Sequence, residues 1–283
     1  MKITRPIYSL FVLALILAAF PAPGFAATLP LNQPWGLALD ASGNLYVANN
    51  GADQVLTYNS SYAQKSSITQ GIHNPTGVAI DLYGNLWVVN ESNGNVTEYI
   101  KGKQNTSATI TEGLSSPDYL VVDGLDNLWV LNSTESVTIY SPTAAYAPPS
   151  KPVQTIAPSE GVQALAVGAG AFLHADDRDN KLFLDSASAT LQGEPLNGGF
   201  FGFSATVLAP DDKGNIYGVN GADVFIVHPN ATATSFATLP ATATLVLGMA
   251  VDNARGRVYI SDFNNNRIFV YSTAGKLIHT IHN

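Results

Sequence analysis

Cysteine is absent from the 283-residue sequence. Its absence excludes disulfides, thiol catalysis, thiolate metal sites and lipid attachment to an N-terminal cysteine. Charged residues are also scarce, at 12% of the chain, whereas 46% of the residues are hydrophobic. A chain with this balance must bury a large apolar surface by packing alone, which a domain of this size can do.

Long apolar segments are missing as well, apart from one near the N-terminus. Lys2 and Arg5 precede a mostly apolar stretch from Ile7 to Phe20, and small residues follow up to Ala26. This order predicts a signal peptide over residues 1–26 and therefore a secreted or periplasmic protein. The stretch is short for a membrane span, which needs about 20 residues, and an uncleaved N-terminal anchor is the alternative.

Positively charged residues are also few. The 13 basic residues include Lys2 and Arg5, so 11 remain against 21 acidic residues after cleavage, a net charge of −10. Nucleic acids and anionic membrane surfaces both require a basic face on the protein. We therefore expect no nucleic-acid partner and, after signal cleavage, no membrane partner.

A repeated pattern fills the rest of the chain. Each copy has a short apolar strand that ends in Asp, then a turn that often contains Gly-Asn, then a second strand that carries an aromatic residue. The residues that close the first strand, 41 to 45 positions apart, are Asp40, Asp81, Asp123, Gly168, Asp211 and Asp252. Six units of about 42 residues account for nearly all of the chain after Ala26, so no second domain is expected.

The pattern within a copy predicts three strands joined by tight turns, with a fourth strand in the variable stretch that follows. Leu86–Val89 and Leu128–Leu131 are apolar on both faces, as expected for sheets packed between two neighbours. No long helical period separates the strands, which argues against a parallel β/α fold. We predict an all-β fold over residues 27–283, a six-bladed β-propeller of four-stranded antiparallel blades. The blades should begin near residues 34, 75, 117, 162, 206 and 246.

Closure of the ring is predicted from the two ends of the repeat region. Leu277–Ile281 can complete the last blade without help from the N-terminus, and Ala27–Leu31 is expected to pack beside it.

These copies resemble NHL repeats. The best match is the closing copy, with Tyr259–Asp262 followed by Asn266–Ile268. The resemblance covers the whole region after the signal peptide and implies a propeller of the wider gluconolactonase/regucalcin-like group. That group includes protein-binding and RNA-binding modules, peptide-amidating lyases and metal hydrolases, so the resemblance implies a fold rather than one activity.

The resemblance to the hydrolases implies metal ligands at the entrance of the innermost strands. The matching positions here are Trp35, Thr76, Asp118, Gln163, Thr206 and Leu247. Only Asp118 suits a hard divalent cation, which prefers several oxygen ligands. The lyases use a histidine-based zinc site, but the five histidines of this chain share no register in the repeat. We therefore predict no metal and no other cofactor.

The function that follows is a non-enzymatic, exported binding scaffold, expected to be a monomer. Its ligand would be a protein, a peptide or a glycan, bound at a channel mouth formed by Trp35, Thr76, Asp118 and Gln163. The alternative is a gluconolactonase-like hydrolase or a lyase with a divalent metal in the central channel, which would use Asp118. A purely structural role at the cell surface is a third hypothesis. No catalytic residue is predicted.

Three further features have structural interpretations. The repeated aspartates are predicted to cap their own turns. Polar residues that recur after the second strand are predicted to cap the turn that follows; they are Asn49, Asn90, Asn132, Asn220 and Asp262. His174 is predicted to fill the second-strand position that carries an aromatic residue in the other copies.

Overall fold

The computed structural model describes residues 29–134, 136–141, 149–156, 162–168, 171–176, 181–186, 194–195, 207–230 and 232–283. Between residues 168 and 195 the description is of the backbone alone. The predicted signal peptide, residues 1–26, lies outside the described residues. None of the helices in the described part is long and apolar enough to cross a membrane.

Within these residues the strands form six four-stranded antiparallel sheets, each made of strands that are consecutive along the chain. The first three are β1–β4 (Pro34–Leu39, Leu45–Asn49, Gln54–Tyr58, Gln64–Ile68), β5–β8 (Pro75–Ile80, Leu86–Asn90, Asn95–Tyr99, Thr106–Ile110) and β9–β12 (Pro117–Val122, Leu128–Asn132, Val137–Tyr140, Gln154–Ile156). The others are β13–β16 (Ala164–Gly168, Ala171–Asp176, Lys181–Ser186, Glu194–Pro195), β17–β20 (Val207–Pro210, Ile216–Asn220, Asp223–Val227, Ala233–Thr238) and β21–β24 (Met249–Asp252, Arg257–Asp262, Arg267–Ser272, Leu277–His282). Short 3-10 turns lie at Asn50–Ala52, Glu91–Asn93, Ile100–Gly102 and Phe263–Asn265.

The sheets are arranged as blades around a common centre. The first strand of each sheet contacts the first strand of the next, and β21 contacts β1. The predicted all-β propeller of four-stranded antiparallel blades is therefore confirmed. Five blades are shown with side chains in all four strands, whereas six blades were predicted. The remaining sheet, β13–β16, coincides with the copy whose turn lacks the usual aspartate, and it is described mainly through its backbone pairing.

Both faces of each blade are buried because neighbouring blades cover them. In β5, Val78 packs with the apolar residues of the first blade, whereas the next residue, Ala79, packs with those of the third. The same alternation places Val88 on one side of β6 and Val89 on the other. This arrangement explains why the second strand of this blade is apolar on both faces from Leu86 to Val89.

Glycine allows the innermost strands to approach closely. A Cβ atom on Gly36 would lie 2.6 Å from the carbonyl oxygen of Thr76 in the next blade. A Cβ atom on Gly248 would lie 2.0 Å from the carbonyl oxygen of Trp35, across the junction between the last and first blades. Glycine at these two positions of the repeat is thus a packing requirement at the centre of the ring.

The last blade is completed by β24, as predicted, and the N-terminal residues pack beside it. Leu31 belongs to the same buried cluster as Ile281 of β24. Two arginines of the last blade reach the first blade: Arg255 donates to the carbonyl oxygen of Ser42 at 2.6 Å, and Arg257 donates to that of Ser60 at 2.7 Å.

The predicted position of His174 is wrong by one residue. In β13, Ala166 corresponds to Ala38 of β1, and Ala38 pairs with Tyr46. Ala166 pairs with Leu173, however, and His174 pairs with Leu165. The connection between β13 and β14 is shorter than in the other blades, which shifts the register.

Candidate functional site: the central channel

The turn aspartates are engaged in local hydrogen bonds, as predicted. Asp40 Oδ1 accepts from the Asn44 backbone amide at 2.8 Å, and its Oδ2 accepts from Asn44 Nδ2 at 2.6 Å. The same pairing recurs at Asp81–Asn85, Asp123–Asn127 and Asp211–Asn215. The indole Nε1 of Trp129 also donates to Asp123, at 2.9 Å. These carboxylates hold the turns around one end of the channel.

Asn132 binds the turn that follows it, as predicted, because its Nδ2 donates to the Ser136 carbonyl oxygen at 3.3 Å. Asn49, Asn90 and Asp262 do not cap the backbone of the 3-10 turn that follows, which corrects the prediction for these three residues. Instead, Asn90 Oδ1 accepts from the backbone amide of His73, 17 residues earlier, at 3.0 Å. Asn49, Asn132 and Asp262 bind equivalent positions of the preceding segment. Each side chain thus fixes the segment that enters its blade.

The channel contains a cavity of about 200 Å³. The innermost strand of every sheet contributes lining residues. Five of the lining residues occupy the last apolar position before a turn and are half-buried: Leu39, Ile80, Val122, Pro210 and Val251. The cavity therefore lies in the half of the channel that is next to the aspartate turns, which we call the turn end.

The side chains that line the cavity are chiefly aliphatic, whereas polar backbone atoms supply the larger part of its exposed surface. Its described side chains are aliphatic, proline or methionine, with Tyr119 as the exception. The channel-side edge of each innermost strand has no strand partner among the described residues, so backbone amides and carbonyls border the cavity. This combination provides an apolar seat with hydrogen-bonding groups along its wall.

Tyr119 takes the place that glycine has in the first, second and last blades. It packs against the cluster between the third blade and β13, and it also lines the cavity. Burial raises the pKa of its phenol to about 12, so the hydroxyl is neutral and able to donate at physiological pH. Within the described part of the chain, its hydroxyl has no hydrogen-bond partner. Sequence reasoning missed this residue, although the substitution of glycine by tyrosine is visible in the repeat.

The four residues predicted to bind a ligand lie at the opposite end of the innermost strands, and none of them lines the cavity. Trp35 is half-buried, with its ring edge-on to that of Phe263 at 5.3 Å between centroids. Thr76 is fully buried, and its hydroxyl has no hydrogen-bond partner among the described residues. Gln163 is exposed. Thr206, which occupies the equivalent place in the fifth blade, lies outside the described residues.

Asp118 is the fourth of these residues, and it is half-buried. Burial raises the pKa of its carboxyl group, and the nearby charge of Glu91 raises it further. The two carboxylates flank one opening of the channel at the second and third blades. Asp118 is not among the residues that line the cavity.

The described residues of the cavity do not fit a divalent metal ion. Such an ion requires several oxygen or nitrogen ligands from side chains. The cavity supplies only one polar side chain, the phenol of Tyr119. No group of three or more histidine, aspartate or glutamate side chains among the described residues is arranged to hold a metal.

Comparisons with known proteins agree with the fold. The NHL repeat family model matches residues 31–58 and 246–271, the first and last copies of the repeat. No curated protein is similar enough in sequence to match the chain.

Among solved structures, a streptogramin B lyase is similar, with a TM-score of 0.64 and 11% identity over 90% of this chain and 85% of the other. Virginiamycin B lyase from Staphylococcus aureus has a TM-score of 0.63 and 11% identity, covering 88% of this chain and 86% of the lyase. A gluconolactonase from Xanthomonas campestris has a TM-score of 0.63 and 14% identity, covering 83% of this chain and 86% of the enzyme. At these identities the likeness concerns the fold alone. The chain is therefore an all-β propeller whose first and last repeats match the NHL family.

Proposed function

We propose that this protein is an exported, non-enzymatic binding module that receives an apolar group of its ligand in the turn end of the channel. The ligand is a protein or peptide, and the apolar group is one of its side chains. The observation that supports this proposal is the cavity of about 200 Å³, which is lined by mainly aliphatic side chains and by polar backbone groups. In this proposal β13–β16 acts as a sixth blade, and the folded module is secreted or periplasmic.

The size of the cavity suits one side chain. An engineered apolar cavity of roughly 150 Å³ binds benzene, so a cavity of this size can hold a phenyl or an isobutyl group. Transfer of such a group from water is worth about 1.5–3 kcal/mol when it is fully buried. A glycan offers mostly hydroxyl groups and would gain less from an aliphatic wall.

The wall also supports a fixed orientation of the ligand. Backbone groups along the innermost strands and the phenol of Tyr119 can pair with the peptide groups that flank the inserted side chain. Because the blades on either side hold these strands in place, the seat is formed before the ligand arrives, which lowers the entropy lost on binding.

Toluene is a suitable probe of this seat, and its binding can be followed by saturation-transfer NMR. We expect toluene to bind to the full chain and Val251→Phe to abolish binding, because the larger ring occupies the cavity. The matched control is Val153→Phe, at a residue that is 62% exposed on the outer part of the third blade. Equal toluene binding by the Val251→Phe variant, with an unchanged melting temperature, would refute the proposed seat.

A metal analysis separates this proposal from the alternative of a hydrolase or lyase. We expect the purified protein to carry no stoichiometric divalent metal and to keep its melting temperature in chelator. A stoichiometric metal that is lost on Asp118→Ala would overturn the binding-module proposal in favour of the enzyme.

A further inference from the structure

Two neighbouring turns at the turn end of the channel carry large exposed apolar side chains. They lie between the first and second strands of the second and third blades. The residues are Leu82, Tyr83 and Leu125, which are 67%, 45% and 80% exposed. We refer to these three residues as the apolar rim. Adjacent apolar side chains with this exposure mark an interaction surface, whereas a single one would be ordinary.

The repeat does not require these residues. The turns of the other blades that are described at the same place carry small or charged residues at their tips. They are Ala41 and Ser42 in the first blade, Asp212 and Lys213 in the fifth, and Ala254 and Arg255 in the last. The apolar rim is therefore a local addition to the scaffold.

The two turns of the apolar rim are held together. The Leu82 backbone amide donates to Asp126 Oδ1 at 2.9 Å, which links the second blade to the third. Within each turn, the amides of Tyr83 and Leu125 donate to the aspartate that closes the preceding strand, at 3.0 and 2.8 Å. The rim is thus prepared to meet a partner without ordering a loop first.

Carboxylates lie around the rim. Among the described residues, Asp81 and Asp123 accept hydrogen bonds from neutral amide and indole groups. Burial raises the pKa of Asp126, and the charges of Asp81 and Asp123 raise it further. Glu98 also lies nearby but is buried, and it accepts from the Ser107 hydroxyl, so it adds negative charge beneath the surface rather than a contact for a partner.

The described ion pairs lie elsewhere. In the last blade, Arg255 contacts the corresponding turn aspartate, Asp252, at 3.4 Å. No described ion pair reaches Asp81, Asp123 or Asp126, the three half-buried carboxylates around the apolar rim. The backbone of Lys101 lies near these carboxylates, because its amide donates to Asn85 Oδ1. No described ion pair joins the ammonium group of Lys101 to any of the carboxylates.

We propose that the apolar rim docks a basic peptide segment of a partner protein, in which large apolar side chains stand between lysine or arginine residues. The apolar side chains cover Leu82 and Leu125, while the basic side chains meet the carboxylates around them. A second copy of this acidic chain would bring like charge to the same surface. This inference rests on the proposed binding function, but it does not require the cavity to be the seat.

The probe is the synthetic peptide acetyl-KLKFK-amide, titrated into the full chain by isothermal calorimetry at low salt. We expect it to bind, and we expect acetyl-ELEFE-amide and acetyl-KSKSK-amide not to bind, because each lacks one of the two required features. The double variant Leu82→Ser/Leu125→Ser should weaken binding about tenfold or more. Asp126→Asn should weaken binding several-fold and reduce its dependence on salt, because Asn keeps the acceptor for the Leu82 amide but removes a charge.

Ile278→Ser is the matched control, since Ile278 is an exposed apolar residue, 46% exposed, on the outer strand of the last blade. It should leave peptide binding unchanged. Failure of acetyl-KLKFK-amide to bind, or equal binding by wild type and the double rim variant, would overturn the proposal. If the rim variants weaken peptide binding but Val251→Phe does not affect toluene, the rim stands and the cavity proposal fails. The reverse pattern refutes the rim and leaves the cavity.

Discussion

Asn283 and Leu31 exchange two hydrogen bonds where the first and last blades meet. The Leu31 amide donates to Asn283 Oδ1 at 2.6 Å, and Asn283 Nδ2 donates to the Leu31 carbonyl oxygen at 3.0 Å. The Gln33 amide donates to Asn266 Oδ1 at 2.8 Å beside them. The junction is therefore held by amide side chains that bind the backbone of the entering segment.

Replacing this amide should weaken the junction. We expect Asn283→Ala to lower the free energy of unfolding by about 1–2 kcal/mol, because two hydrogen bonds are lost. Thermal unfolding would measure this as a fall of a few degrees. Asn93→Ala is the control, because Asn93 is exposed on a 3-10 turn and makes no described side-chain hydrogen bond. An equal effect of the two substitutions would refute this role of Asn283.

Because the innermost strands approach closely, one added methyl group at Gly36 should strongly lower the stability of the fold. Gly36→Ala would place Cβ against the carbonyl oxygen of Thr76, and backbone would have to move. We expect a loss of about 1–3 kcal/mol in the free energy of unfolding, measured by urea denaturation. Gly124→Ala is the matched control, because no atom lies within 4 Å of its added Cβ. Similar stabilities of the two variants would contradict the packing role of Gly36.

In the second and last blades, a side chain at the end of the second strand bonds to a side chain at the start of the third, but the chemical groups differ. In the second blade, Asn90 Nδ2 donates to Asn95 Oδ1 at 3.0 Å, whereas in the last blade Asp262 pairs with Arg267 at 2.8 Å. Asn90→Asp alone would bury a carboxylate without a cation, and we expect a loss of about 3–5 kcal/mol. Adding Asn95→Arg should restore a large part of that loss by recreating the pair of the last blade. Urea unfolding of the single and double variants measures the coupling, and an absence of rescue would refute the equivalence of the two links.

The buried carboxyl group of Glu98 should make the free energy of unfolding depend on pH. Burial raises the pKa of its carboxyl group above the usual 4.5, so the folded state binds its proton more tightly than the unfolded state does. Its contribution to stability is therefore greatest below about pH 4.5 and declines as the pH rises through the folded-state pKa. We expect Glu98→Gln to raise the melting temperature at pH 7 and to have little effect at pH 4. A difference that is the same at both pH values would rule out ionisation of Glu98 as the cause.

The fold was predictable because its signals are local. A turn such as Asp40–Asn44 contains its own hydrogen bonds, and Gly43 adopts the positive φ of 77° that the turn requires. The capping role of the turn aspartates could therefore be inferred from a few adjacent residues.

The site was less predictable because its geometry depends on contacts between blades. The position of Thr76 in the repeat indicated a channel mouth, but an irregularity in the pairing of β5 between Pro75 and Val78 accompanies its burial. Trp35 was expected to face a ligand, yet its ring meets Phe263, more than 200 residues away in the chain. Similarly, the repeat shows that a polar residue recurs at Asn90 but gives no sign of its partner 17 residues earlier.

Every described sheet consists of strands that follow one another in sequence. A cut in a segment between two sheets would consequently leave each sheet whole. Joining Asn283 to Leu29 through a short linker and opening new termini near Gly71 should therefore yield a circular permutant with the same ring. In such a permutant the blades keep their places around the ring, but the chain begins at a different blade. The apolar rim therefore keeps its place in space while its position in the sequence changes.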